Sequence, residues 1–206
     1  MSSSSETPES PPAAFLGFEV VSLDDHTATM PIGELPLIPG GAVKLFFAEN
    51  VYWDIVKQAR RAAPAEQQRR YHKETGGILV GSFRRTFQGD YFVFVDGCEP
   101  MEDGTLTTFS ISRQQFATAL PQMRARWPGM LVVGIYHSHP GHGVYHSELD
   151  RRALGKEGGV LVEPWQFSLV IDPLLRSAKF PQGAVGIFFD NVERGRFGID
   201  EPFPMD

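Results

Sequence analysis

The chain has 206 residues, of which 42% are apolar, and a formal net charge of −6. That length fits one compact domain with an irregular end better than two domains. The acidic balance argues against a nucleic-acid partner, whose binding surfaces are usually basic. The longest apolar run, 130–136, is far shorter than the roughly 20 residues that cross a bilayer. The single cysteine, Cys98, excludes an intrachain disulfide. We therefore expect a soluble, cytoplasmic protein without membrane contact.

The N-terminal part of the chain divides into a tail and an extension. Residues 1–14 are rich in Ser, Glu and Pro. They lack the basic start and the apolar stretch of a secretory signal, so they predict a disordered tail. Residues 15–41 predict an N-terminal extension of short strands. Residues 42–206 are then expected to form the main domain.

The pattern from residue 42 onward predicts alternating strands and helices. A strand at 42–46 precedes a helix at 48–63, in which Val51, Ile55 and Ala59 recur at four-residue spacing. Further strands are predicted at 74–85, 91–95, 129–139, 166–172 and 184–189, with a hairpin turn at 88–90. A second helix is indicated by four apolar residues at helical spacing: Phe116, Leu120, Met123 and Trp127.

Two smaller features complete this outline. Pro121 is expected to split or to start the second helix, and residues 147–154 predict a short third helix. Strands thus alternate with helices, and hairpins are present as well. The expected fold class is α/β, with a mixed β-sheet flanked by helices.

The most informative stretch is GIYHSHPGHGVYHSELD, residues 134–150, which holds four of the six histidines. His137 and His139 lie one residue apart at the end of an apolar run. Side chains at positions i and i+2 of a strand point to the same face. The two imidazoles are therefore presented together, with Ser138 turned away.

A carboxylate follows these histidines at a suitable distance. Asp150 lies eleven residues after His139. If Ser147 opens a helix, Ser147 and Asp150 lie on one side of its first turn. The loop can then fold back and bring the carboxylate to the two imidazoles.

These residue types predict a metal site. Two imidazoles and one carboxylate leave one position of a tetrahedral zinc ion for water, as in catalytic rather than structural zinc sites. We therefore predict Zn²⁺ bound by His137, His139 and Asp150. Amide hydrolysis at such an ion also needs a carboxylate outside the ligand set that carries a proton and a donor that faces the oxyanion. Glu74, which opens a glycine-rich strand, and Ser147 are the candidates.

This combination resembles the JAMM (MPN-plus, or JAB) zinc metalloprotease family. The sequence HSHP at 137–140, the pattern S-x-x-D at 147–150 and ETGGILVG at 74–81 match the family's motifs in each position. The resemblance covers roughly residues 42–190 and implies a cytidine deaminase-like fold, a sheet between helices. It makes 42–206 a JAB/MPN-plus metalloprotease domain.

The resemblance also implies a function. Members of the family cleave isopeptide or peptide bonds after ubiquitin or ubiquitin-like tails. His137, His139 and Asp150 would be zinc ligands, Glu74 the general acid/base and Ser147 the oxyanion stabiliser. The compact chain is similar to the bacterial branch, whose members are often found with E1-like and E2-like proteins and a ubiquitin-like modifier. Those proteins are the expected partners.

Each of these candidate site residues also has an interpretation that involves neither a metal nor catalysis. The two histidines alone can be ordinary strand residues, Ser147-x-x-Asp150 is also a capping box, and an isolated glutamate such as Glu74 is usually a solvated charge. Their joint spacing favours the metal site over these interpretations.

The remaining candidates are weaker. His142 and His146 are expected to face solvent or substrate, and a second metal site there is disfavoured. His26 and His72 are expected at the surface, and Cys98 has no indicated partner.

Two other functions fit the same residues. The first is a metallopeptidase that acts on the C-terminal adduct of a sulfur-carrier protein. The second is a non-catalytic MPN scaffold that pairs with a partner, although such scaffolds typically lack the ligands. A DNA-associated relative with a similar histidine pattern is disfavoured by the acidic charge.

Overall fold

A computed structural model describes the protein over the following residues: 15–21, 28–29, 43–63, 72–85, 91–101, 104–105, 108–154, 159–161, 163, 166–176, 183–189 and 192–197. The elements in chain order are β1 (Phe15–Val21), β2 (Ala28–Thr29), β3 (Val43–Ala48), α1 (Glu49–Ala62), β4 (Gly76–Arg85), β5 (Tyr91–Pro100), α2 (Arg113–Arg126), β6 (Leu131–Ser138), α3 (Glu148–Leu154), β7 (Phe167–Asp172), β8 (Ala184–Phe189) and β9 (Val192–Phe197).

The strands form one mixed sheet. Its order is β1-β3-β5-β4-β6-β7-β8-β9, and β2 pairs with the far end of β4. The β1–β3, β3–β5 and β6–β7 pairs are parallel, whereas the other neighbours are antiparallel. The predicted α/β class with a mixed sheet is confirmed. Because β1 pairs with β3, part of the predicted extension 15–41 belongs to this sheet; the predicted domain limits stay a prediction.

Helix α1 covers one face of the sheet. Val51, Ile55 and Ala59 are buried, as their four-residue spacing predicts, and they pack against Leu45 and Phe47 of β3. The strand prediction at 42–46 and the helix prediction at 48–63 are thus confirmed, with small shifts at their ends. This layer holds the larger of the buried clusters.

Helix α2 covers the opposite face. Side chains alternate along β4, so that Leu79 faces α1 while Ile78 and Val80 face α2. On α2, Met123 is buried against this second cluster, and Trp127 packs at its margin. The central strands β4 and β6 therefore lie between two helices.

The structure corrects two details of the second helix. The helix begins at Arg113, where Ser112 and Gln115 form a capping box, and it continues through Pro121 instead of starting or splitting there. Leu120, predicted on the apolar face, is not part of the cluster; Ala119 packs there instead.

Two further differences concern β9 and the loops. Strand β9, with the sequence VERGRF, was not predicted, because its charged residues hide the apolar alternation of a strand. The predicted hairpin turn at 88–90 lies outside the described residues. Within the part of the chain that the structure describes, the helices are too short or too polar to cross a membrane.

Candidate metal centre

The candidate ligands meet at the C-terminal end of the central strand β6. His137 is the last residue but one of β6 and lies between Gly76 of β4 and Val170 of β7. The backbone N–H of His139 donates to the Ile171 carbonyl at 2.9 Å. Neighbouring strands on both sides therefore fix the backbone that carries the two imidazoles.

A glycine makes room for the packing around His137. A Cβ atom on Gly76 would lie 2.4 Å from the Tyr136 carbonyl oxygen and 2.5 Å from the Phe109 ring. The Phe109 ring is nearly parallel to the His137 imidazole, with ring centroids 6.4 Å apart. The glycine strand thus lets an aromatic ring lie against a candidate ligand and restrict its movement.

The three predicted ligands converge. The Nε2 atoms of His137 and His139 are 3.1 Å apart. His137 Nε2 lies 3.4 Å from one carboxylate oxygen of Asp150, and His139 Nε2 lies 3.5 Å from the other. Bonds of about 2.0–2.1 Å at tetrahedral angles would place zinc ligands about 3.3 Å apart. The donor set and its spacing therefore fit zinc. Among the described residues, this is the one group of His, Cys, Asp and Glu side chains that can hold a metal.

Burial and hydrogen bonds together set the charges of His137 and Asp150. His137 is fully buried, and burial lowers the pKa of its imidazole, an effect that the Asp150 carboxylate opposes only in part. Burial alone would raise the pKa of Asp150, but its hydrogen bonds to His137, His139 and Ser147 hold that pKa well below its usual range. A neutral imidazole and an ionised carboxylate are the forms that bind metal.

A capping box at the start of α3 places the Asp150 carboxylate next to the two histidines. The Ser147 N–H donates to the Asp150 carboxylate at 2.7 Å, and the Asp150 N–H donates to Ser147 Oγ at 3.1 Å. Ser147 thus precedes α3 as its capping residue, as the sequence predicts. The same carboxylate reaches both the helix start and the imidazoles.

A second aspartate shapes the loop after His139. The Asp172 carboxylate accepts the N–H groups of Gly141 at 2.9 Å and Gly143 at 2.8 Å, and also that of Leu174 at 2.9 Å. Gly141 has a φ of +77°, a conformation that favours glycine. Sequence reasoning missed Asp172; its signal was an acidic residue that ends a buried strand directly before a proline.

Glu74 is buried beside the ligand group. Only 4% of the residue is exposed. Burial raises its pKa to about 7; the His139 charge lowers it, the Asp150 charge raises it, and the Phe109 N–H that bonds to the carboxylate lowers it. The interpretation of Glu74 as a solvated surface charge is therefore wrong. A carboxyl with a pKa near neutrality can both accept and release a proton.

Two histidines differ from their expected exposure. His146 is buried, stacks on Phe188 with centroids 4.2 Å apart, and lies 5.9 Å from the His137 ring. His72 is also buried, because it shares the strand-like alternation that turns Glu74 inward.

The other weak candidates are His142, His26 and Cys98. His142 is exposed, as expected, and His26 lies outside the described residues. Burial raises the pKa of the Cys98 thiol to about 11; Asp54 raises it further, and Arg126 lowers it. Cys98 is therefore a protonated thiol at neutral pH rather than a nucleophile.

Together the fold and the site define a class of protein: an α/β domain in which three residues, two at the end of a central strand and one in the helix that follows, could hold a metal ion. Residues 49–180 match the family described as prokaryotic homologs of the JAB domain. The chain belongs to this family, and the resemblance seen in the HSHP and S-x-x-D motifs is confirmed.

Several known proteins are similar over part of their length. The chain is 31% identical over 137 residues to the COP9 signalosome complex subunit 5 of Gibberella zeae, covering 62% of this chain and 39% of that protein. It is 36% identical over 74 residues to the NAD(+) hydrolase TcpA of a Theionarchaea archaeon, covering 36% of this chain and 21% of that protein. The chain thus spans less than half the length of either relative.

A solved structure gives a third comparison. The solution structure of protein DSY2949 from Desulfitobacterium hafniense overlaps 72% of this chain and 87% of that one, with 21% identity and a TM-score of 0.48.

Proposed function

We propose that the protein is a zinc-dependent isopeptidase or peptidase that cleaves the amide bond after the C-terminus of a ubiquitin-like protein. The supporting observation is the convergence of His137, His139 and Asp150 beside the buried Glu74. The JAB family includes metal-dependent isopeptidases, and its JAMM-type members use zinc. When bound, zinc lowers the pKa of a water molecule to about 7 and polarises a carbonyl oxygen.

In this proposal Glu74 moves the proton. Its pKa of about 7 leaves a large share of the carboxyls ionised at neutral pH. The ionised form takes a proton from the attacking water, and the protonated form then delivers it to the leaving amine. A pKa near the working pH suits both steps.

Ser147 supplies the donor for the substrate oxygen. Its Oγ accepts the Asp150 N–H at 3.1 Å, so its own hydroxyl proton is available for another acceptor. A donor held at a helix start, next to a ligand, is suited to the negative charge that develops on the substrate carbonyl oxygen.

The surroundings of the ligands favour a tail that ends in small residues. The Phe109 ring lies against His137 on one side, and the ring of Tyr145, which is 45% exposed, lies 5.1 Å from that of His139. A glycine at the end of an extended tail fits between aromatic rings more readily than a branched residue. The tail would add along a sheet edge and place its last carbonyl at the ligand group. E1-like and E2-like proteins of the same cytoplasmic pathway would produce the conjugates.

The test uses the zinc-loaded full chain. The substrates are folded ubiquitin-like proteins whose C-terminal Gly-Gly is joined, through a peptide or a lysine isopeptide bond, to a fluorescent reporter. We expect one zinc per chain and cleavage after the last glycine. Glu74→Gln should retain the zinc and lose cleavage by about 10²–10⁴-fold. Undiminished cleavage by Glu74→Gln would contradict the proposed mechanism.

The two alternatives give different results in this assay. Cleavage of a sulfur-carrier protein fusion, with no cleavage of ubiquitin-like fusions, would change the substrate class. A protein that neither binds zinc nor cleaves any fusion would be a scaffold.

A further inference from the structure

The pairing of β4 with β6 ends in an unusual hydrogen bond. The two strands pair in register as far as Gly76 and His137, so the next pair is Thr75 and Ser138. In a regular antiparallel ladder these two residues would exchange two backbone hydrogen bonds. The Ser138 N–H does donate to the Thr75 carbonyl at 2.8 Å. In return, however, the Thr75 N–H donates to the side-chain oxygen Ser138 Oγ at 3.0 Å.

We propose that Ser138 is a positioning residue for Glu74: its hydroxyl replaces the backbone carbonyl as the acceptor for Thr75 and thereby sets where the Glu74 carboxylate lies relative to the metal ligands. The kinetic part of this inference rests on the proposed function. The structural part does not, because it concerns only where the carboxylate lies.

The geometry gives the direction of the effect. Ser138 lies between His137 and His139, so its side chain points to the opposite face of the strand. The Thr75 N–H is drawn toward that opposite face. Glu74, the residue before Thr75, therefore has its side chain on the face of the imidazoles, where the His139 and Asp150 charges act on its pKa.

The backbone of Glu74 is held on its other side as well. Its N–H donates to the Thr105 carbonyl, and its carbonyl accepts the Gly104 N–H, both at 2.8 Å. The carboxylate accepts the Phe109 N–H. The backbone groups of Gly104, Thr105 and Phe109 and the Ser138 hydroxyl therefore hold the glutamate from two sides, and a change at Ser138 leaves only one of them.

Burial prevents water from replacing the hydroxyl. Ser138 is fully buried and Thr75 is 4% exposed. Without Oγ, either the Thr75 N–H remains unpaired, or the strands close until the Ser138 carbonyl accepts it. The second outcome moves Thr75 directly, and the first removes the contact that holds it in place, so in either case the position of Glu74 is no longer fixed from this side. A misplacement of about 1 Å of a catalytic group lowers a rate by about 10²-fold.

The experiment compares Ser138→Ala and Ser138→Thr with a matched control. Ser82→Ala removes another buried hydroxyl from the same sheet, one that bonds to Asp96 at 3.0 Å and lies away from the ligands. All proteins are zinc-loaded full chains, and the substrate is the Gly-Gly reporter fusion. Zinc content should be unchanged in each, because Ser138 faces away from the ligands. Ser138→Ala should lower kcat by about 10–100-fold with KM unchanged, Ser138→Thr should restore kcat, and Ser82→Ala should not change it.

Crystal structures give a result that does not depend on activity. The Glu74 carboxylate should be displaced relative to His139 in Ser138→Ala and should keep its position in Ser82→Ala. If Ser138→Ala does not fold, Ser138→Cys keeps the volume with a weaker acceptor and should show the same displacement.

The outcomes separate the two proposals. A Ser138→Ala protein with the wild-type kcat and an undisplaced Glu74 overturns the positioning role. If the wild-type protein cleaves none of the fusions, the proposed function fails. The position of Glu74 in the variant crystals then still decides the role of Ser138.

Discussion

Two largely buried aspartates, Asp96 and Asp150, have different surroundings. Asp96 lies 2.7 Å from the Arg84 guanidinium and accepts the Ser82 hydroxyl at 3.0 Å. Asp150 meets the imidazoles of His137 and His139 at 3.4 and 3.5 Å. The first carboxylate has a permanent cation as its partner, whereas the second has two rings whose charge depends on protonation.

This difference distinguishes a structural ion pair from a candidate metal site. A guanidinium is a permanent cation in proteins, so the Asp96 carboxylate has its counter-charge within the protein itself. Burial lowers the pKa of His137, so this ring supplies little positive charge to Asp150 at neutral pH. A buried carboxylate beside imidazoles, which carry no permanent charge, can be balanced by a cation from outside, and the spacing of the three candidate ligand atoms fits zinc.

The largest expected effect is on zinc affinity. Asp150→Asn removes the ionised ligand and should weaken zinc binding by at least about 10²-fold. Loss of a residue that only supports a ligand lowers metal affinity by up to about 10²-fold, and loss of the ligand itself should cost more. Asp96→Asn should leave the affinity unchanged, because Asp96 is not part of the ligand group. Competition with a chromophoric chelator measures both. Equal zinc affinities in the two variants would remove the distinction between the clusters.

The second expected effect is on stability, and here the change at Asp96 is the one that matters. Asp96→Asn leaves the Arg84 guanidinium, whose side chain is 14% exposed, without its counter-charge. It should lower the free energy of unfolding by about 1–3 kcal/mol, with or without zinc. Urea unfolding of the zinc-loaded and metal-free proteins tests this. A loss that appears only in the zinc-loaded protein would link Asp96 to the metal after all.

The ligand group could be predicted because its geometry is mostly local. His137 and His139 share a strand face through the two-residue repeat, and Ser147 and Asp150 share a helix start through a capping box. Each of these relations spans a few residues, so the sequence alone specifies it. The same is true of α1, whose buried residues follow the helical repeat.

The parts that escaped prediction depend on partners distant in the sequence. The burial of Glu74 follows from the pairing of residues 74–75 with Ser138 and Thr105, which are distant in the sequence. His72 is buried on the same side, two residues earlier. The role of Asp172 depends on a loop 31 residues earlier in the chain. Strand β9 exists because β8 offers it an edge, although its own sequence reads as polar.

A third effect depends on pH and concerns Glu74. Burial raises its folded pKa from 4.5 to about 7, so the folded protein holds a proton that the unfolded chain loses between these pH values. Its contribution to the free energy of unfolding therefore falls as the pH rises from 4.5 to 7. Glu74→Gln removes this loss. In metal-free protein, the difference in free energy of unfolding between the variant and the wild type should therefore increase by about 1–3 kcal/mol from pH 5 to pH 8, in favour of the variant.

The measurement is urea unfolding with a chelator present at both pH values. His137, whose lowered pKa acts in the opposite direction, is present in both proteins and cancels in the difference. A difference that stays constant between pH 5 and pH 8 would show that Glu74 has an ordinary pKa. Asp96→Asn, measured in parallel, removes a carboxyl whose pKa burial also raises, although the Arg84 charge opposes this, and shows how much of the gain any buried carboxyl gives.

The smallest expected effect on stability is at Ser147, where stability and activity separate. Ser147→Ala removes the acceptor for the Asp150 N–H and should lower the free energy of unfolding by about 1 kcal/mol, as for other helix caps. Ser147→Thr keeps the hydroxyl and should lose less. If Ser147 also faces the substrate oxygen, Ser147→Ala should lower kcat by about 10²–10³-fold, far more than this change in stability explains. A kcat reduced by only a few fold would leave Ser147 as a cap that places Asp150, with no direct part in the chemistry.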